Sequence, residues 1–123
     1  MERILQIGTR TYTQVVCLDE PGAGGACHEY VVTGKEYQLG DVFPDSYARV
    51  SFQNGPIKEH GVNGCHQNDL LAIVIDRLQC FQKGEYACRE NAIALTKIEE
   101  ALMWLRKRTQ DRLDRGVEGT SQK

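Results

Sequence analysis

The apolar residues of this chain keep one period before residue 54 and another after residue 64, and that switch limits the fold more than any other feature. Ahead of it, "RTYTQVVCL" (10–18), "HEYVVT" (28–33) and "YARVSFQ" (47–53) are rich in β-branched and aromatic residues and partly alternate, as half-buried strands do. "RILQI" near the start fits a further edge strand. "DEPGAGGA" (19–26), "TGK" around Gly34 and "GDVFPD" (40–45) supply turn and loop chemistry between them. Behind the switch the period is helical. Strands followed by helices give an α+β chain. The expected organisation is a small N-terminal antiparallel sheet over 1–54, a connector over 55–66 and an antiparallel two-helix hairpin over 67–120.

In the hairpin, Asn68 suits an N-cap for a helix running to about Gln82. Leu71, Val74, Ile75 and Leu78 form its apolar stripe, widened by Leu70 and Ile73. "KGEYA" (83–87) breaks the pattern, and a second helix then runs from about Cys88 to Arg115, with Gly116 placed as a C′ residue. At 100° per residue this helix carries two stripes. Leu95, Ile98, Leu102 and Leu105 face the first helix. Ile93, Ala94, Ala101 and Trp104 form the other, which continues into Arg108, Arg112 and Arg115. A hairpin beside a small sheet has few ways to cover both, so the second stripe is a candidate subunit contact and the chain is expected to be oligomeric.

A net charge of −2 over 123 residues does not suggest a general nucleic-acid binder, so any affinity for anions must be local. No apolar run approaches the ~18–20 residues of a membrane span, and "MERILQIGTRTYTQ" lacks the features of a signal peptide. The five cysteines, without a secretion signal, read as reduced thiols. The pairs Cys27-His28 and Cys65-His66 raise zinc as an alternative, but no CxxC occurs and neighbours on a strand point to opposite faces. No metal or cofactor is expected.

Three arginines in one column repel at about 0.2–0.5 kcal/mol per pair. Complementing the helix dipole accounts for one or two of them, and phosphate binding by guanidinium forks is the other reading. Asn91 lies on the apolar stripe near the start of its helix. It either satisfies backbone groups in the first turn or reads the edge of a base. Phe81, at the end of the first helix, either plugs the hairpin core or stacks on that base. Gly22, Gly24 and Gly25 fit a hairpin loop better than a phosphate loop, since no Lys-Ser/Thr pair follows and Asp19 and Glu20 sit beside them.

"FQNGPIKEHGVNG", "NDLLAIVIDRLQ", "FQKGEYACRENAIALTKIEEALMWLRKRT" and "DRGVEGT" together resemble the first-described Thoeris anti-defence family of phage proteins, across roughly residues 50–120. That family shares a helical hairpin with a phage anti-CBASS sponge. The resemblance implies a non-catalytic sponge that sequesters cyclic ADP-ribose isomers made by TIR-domain enzymes in the cytoplasm of the infected bacterium. It implies symmetric oligomers, hexamers in some members, with pockets where protomers meet. Some members also hold cyclic di- or trinucleotides at a separate site, which cannot be assigned to residues here. Carried over by motif, Phe81 stacks on the adenine, Asn91 hydrogen-bonds it, and Arg108 and Arg112 hold the diphosphate. Arg115 is a neighbour of that site, and Arg89 a weaker candidate for either pocket.

Two other functions compete. An enzyme cleaving the same signal needs an oriented base or a metal-held water, and Glu85, Glu90 and His66 form no recognisable constellation for it. A small nucleic-acid module fits the basic helix end but not the negative net charge.

Overall fold

The computed structural model describes residues 2–8, 10–40 and 46–123, so most of the "GDVFPD" loop lies outside the described residues. It divides into two compact units, one ending at Cys65 and one beginning at His66. The fold is α+β, as expected.

The first unit is an antiparallel meander of four strands in the order β1 (Arg3–Ile4), β2 (Thr13–Cys17), β3 (Glu29–Gly34) and β4 (Ser46–Ser51). The register pairs Val15 with Val32 and Val16 with Val31, and an irregularity at Val32/Thr33 shifts the pairing with β4. Alternation sends Val16 and Val31 into a core closed by Tyr37, with Ile4 and Leu18 packed against it. Gln14 is buried beside them, and its amide donates to the Tyr37 carbonyl at 2.7 Å. Such satisfaction is what lets a polar side chain sit there.

Between β2 and β3, residues 19–28 are closed by Asp19. Its carboxylate accepts from the backbone N–H groups of His28 at 3.0 Å and Glu29 at 3.1 Å. Burial raises the Asp19 pKa, but the bonds from Glu29 and His28 outweigh that and hold it below the ordinary carboxylate value. The Gly22 and Gly25 N–H groups are used within the loop, bonding Ala26 and Gly22 carbonyls, so they are not arrayed for a phosphate.

The connector contains a single helical turn, α1 (Ile57–His60), which one period of sequence does not reveal. Asn63 binds it back, its amide bridging the N–H and carbonyl of Asn54 at 2.8 Å each. Gln53 reaches the Gly61 carbonyl at 2.8 Å. Gly64 is a necessity: a Cβ there would lie 2.4 Å from the Phe52 carbonyl carbon, where the two backbone segments pass.

The second unit is the hairpin of α2 (Gln67–Gln82) and α3 (Arg89–Asp114). The N-cap of α2 is His66, not Asn68: the Asp69 carboxylate reaches back to the His66 N–H at 2.8 Å, fixing the start two residues earlier. Leu71, Ile75 and Leu78 of α2 and Leu95, Ile98, Leu102 and Leu105 of α3 are half-buried along the facing stripes. Ile93 and Trp104, on the other stripe of α3, are 43% and 58% exposed. No helix among the described residues is long and apolar enough to cross a membrane.

Candidate functional site

The turn of the hairpin is clasped by one side chain. The Gln82 amide donates to the Cys88 carbonyl at 3.2 Å and accepts from the Cys88 N–H at 3.1 Å. Cys88 is the N-cap of α3, its sulfur accepting from the Asn91 N–H at 3.4 Å. These bonds put Phe81, on the last turn of α2, and Asn91, on the first turn of α3, at the same end of the hairpin. The Asn91 amide is half-buried and makes no hydrogen bond among the described residues. The cysteine, not Asn91, serves the first-turn backbone. Phe81 is half-buried, and the Arg77 guanidinium lies 5.1 Å from its ring centroid. Arg89 is exposed at the first position of α3, where the dipole disfavours a cation.

The arginine column occupies the other end. Trp104, Lys107, Arg108, Asp111, Arg112 and Arg115 line one concavity of about 590 Å³ together with Lys123. Lys107 is paired with Asp111 at 3.0 Å. Arg108 is exposed and carries no hydrogen bond or ion pair among the described residues. Arg112 is the reverse, 7% exposed and engaged by the C-terminal segment. Its Nη2 donates to the Val117 and Thr120 carbonyls at 2.9 and 3.1 Å, its Nη1 to the Gln122 carbonyl at 2.7 Å, and its Nε to Glu118 at 3.4 Å. Of the five N–H groups of a guanidinium, one is left over. Arg115 donates to the Lys123 carbonyl at 2.7 Å.

The chain can double back on Arg112 because α3 ends in a Schellman motif. The Val117 N–H bonds the Arg112 carbonyl at 3.0 Å, and the Gly116 N–H bonds the Leu113 carbonyl at 3.0 Å. Gly116, at φ +74°, supplies the left-handed residue that this reversal needs.

The three arginines thus share a wall but not a state. Arg108 is free for a ligand, Arg115 partly so, and Arg112 braces the tail. Phe81 and Asn91 are far from all of them. Asn91 and Arg108 are 17 residues apart on α3, about 26 Å along its axis at about 1.5 Å per residue. Two neighbours of the Phe81 end are given no role by the sequence reading. Arg77 stands one turn before Phe81, a spacing that could have revealed it. Tyr86, 73% exposed, is the lone aromatic of the turn. The hairpin arrangement suits stacking, amide recognition and phosphate contact, and the grouped metal-ligand side chains, Cys17, Asp19 and Cys27, belong to the sheet unit.

Residues 44–110 match the family described as "Acb2/Tad1, hairpin domain". Over 81 residues, 66% of this chain, the sequence is 60% identical to "Thoeris anti-defense 1" of Bacillus phage SBSphiJ7, and the matched stretch is 57% of that protein's length. The matched residues run from the end of the sheet through Phe81, Asn91 and Arg108, so the chain belongs to the Acb2/Tad1 hairpin-domain family.

Proposed function

We propose that this protein is a phage anti-Thoeris sponge, which binds a cyclic ADP-ribose isomer in the host cytoplasm and withholds it without chemistry. The observation that carries this reading is the separation of two unsatisfied groups, the Asn91 amide and the Arg108 guanidinium, at opposite ends of α3. A base lies nearer its own diphosphate than about 26 Å, so one copy does not engage both ends with one nucleotide. Two copies do. The stripe from Ile93 to Trp104 and the pair Asn91/Arg108 have midpoints within about one residue of each other, so an antiparallel two-fold pairing of α3 through that stripe brings the Asn91 end of one copy level with Arg108 of the other, Asn91 itself lying on the face toward α2.

In such a pair Phe81 stacks on the adenine, worth about 1–3 kcal/mol, and Asn91 supplies a donor and an acceptor for its edge. Arg108 contributes charge-assisted bonds of about 1.5–3 kcal/mol to the diphosphate. Arg112 adds its remaining N–H, and Arg115 lies beside it. A two-fold pair carries two such sites, and the family resemblance extends it to a hexamer. The same resemblance makes cyclic di- and trinucleotides of CBASS second test ligands for a separate site.

The experiment is to incubate the protein with cyclic ADP-ribose isomers and cyclic oligonucleotides, isolate the complex and denature it. An isomer that co-elutes and re-emerges unchanged supports a sponge; released fragments would make the protein an enzyme. Phe81→Ala or Asn91→Ala should abolish capture with the oligomer intact. Capture at unchanged affinity by both would falsify the base-pocket assignment.

A further inference from the structure

We propose that Cys17, Asp19 and Cys27 form a zinc site in the sheet unit, with His28 as the fourth ligand. Cys17 ends β2, Asp19 follows two residues later, and the chain returns with Cys27 and His28 just before β3. Because these two residues precede the strand, the alternation that sends neighbours to opposite faces does not apply to them. Ligand atoms of Cys17, Asp19 and Cys27 all lie within 4.8 Å of one another. Tetrahedral zinc with bonds of about 2.0–2.3 Å holds its donors about 3.3–3.8 Å apart, so modest side-chain rotations close the set.

His28 is the independent observation. Its side chain is 93% buried, yet Nδ1 has no hydrogen-bond partner among the described residues. That nitrogen lies 3.9 Å from Asp19 Oδ2, and the Cys17 sulfur lies 3.7 Å from Oδ1 of the same carboxylate. A buried unpaired nitrogen is a rarity that calls for an explanation. The lone pair of a neutral imidazole is also what zinc takes.

Charge balances as well. Zinc with two thiolates, one carboxylate and a neutral imidazole carries a net −1. The Arg3 guanidinium, donating to Cys27 Sγ at 3.7 Å, offsets it from outside the ligand set. Two sulfurs and one oxygen within 4.8 Å of one another, with an imidazole nitrogen 3.9 Å from the carboxylate that a side-chain rotation would bring in, favour zinc over harder cations. A Cys17–Cys27 disulfide is the rival use of the cysteines, but it leaves the orphaned His28 nitrogen without a part.

The test uses the full chain, reduced, stripped of metal and titrated with cobalt(II) and then zinc. The expected result is a sulfur-to-cobalt charge-transfer band with tetrahedral ligand-field bands, displaced by about one zinc per chain. Cys27→Ser, at a half-buried position outside the core, should greatly weaken the band, and Cys65→Ser should leave it unchanged. His28→Ala should keep the band but lower affinity by at least ~10–100-fold, the loss typical of even an outer-shell partner. A wild-type chain that is folded by circular dichroism but gives no charge-transfer band overturns the proposal without any variant. So does a band that Cys27→Ser leaves intact, or a Cys17–Cys27 disulfide whose reduced form takes up no cobalt.

Discussion

In the sheet unit the best-buried apolar side chains are Val16, Cys17, Val31 and Tyr37; in the hairpin, the side chain buried to that degree among the described residues is Arg112. The sheet closes a small core on itself. The two helices cover one stripe each to half depth and leave Ile93 and Trp104 in water, and their best-enclosed group is a guanidinium held by carbonyls of the tail. With no fully buried apolar residue among the described residues of the hairpin, covering its exposed stripe would add to its stability. The contrast is between a part that closes a core on itself and a part that, on the proposed two-fold pairing, is completed by a second copy.

Trp104→Glu tests this contrast most severely. It sets a charge on the stripe, and association should weaken by about 4 kcal/mol or more, read by sedimentation equilibrium; a wild-type monomer at all concentrations would break the comparison outright. Val31→Ala strikes the self-sufficient side. It should cost about 2–3 kcal/mol in urea denaturation, and that loss should not depend on protein concentration.

Arg112→Ala and Arg108→Ala separate two arginines one turn apart. The first strips four bonds from the tail and should cost about 1–3 kcal/mol of stability. The second should change stability by less than about 0.5 kcal/mol while weakening ligand capture. Equal stability losses would mean that both arginines are structural. The smallest effect is expected at Asp19. Its carboxyl is held below its ordinary value of about 3.9, so its stabilisation is present above that pH and is lost as pH falls through the lowered value. Asp19→Asn should therefore flatten the acid-unfolding curve below about pH 4, monitored by near-ultraviolet circular dichroism.

The strands and the long helices were legible because each keeps its period over enough residues to show it. β2 falls within the stretch read from alternation, and β3 and β4 match theirs to within one residue at one end. Two local features escaped for physical reasons. The start of α2 depends on a carboxylate reaching backward from Asp69, which outranks the capping capacity of Asn68. α1 is one turn long and has no period to detect.

At the candidate site, residue positions followed from spacing, while the roles given to Phe81, Asn91 and the arginines came from the family resemblance. The engagement of Arg112 was out of reach of both. It needs the chain to reverse at Gly116 and bring carbonyls up to ten residues away onto one guanidinium. That the proposed site is split between the ends of α3 was visible in the numbering all along, as a distance rather than as a motif.

The Gln82–Cys88 clasp makes the turn a phase-setter. It holds the five intervening residues to one length, so the rotation of α3 about its own axis is inherited from α2. Adding a single residue between 83 and 87 would turn every α3 side chain by about 100° relative to α2. Leu95, Ile98 and Leu102 would leave the facing stripe together, and Trp104 would swing away from the face that it now shares with Arg108. The composition of the turn can drift at little cost, but its residue count keeps the inner stripe of α3 facing α2.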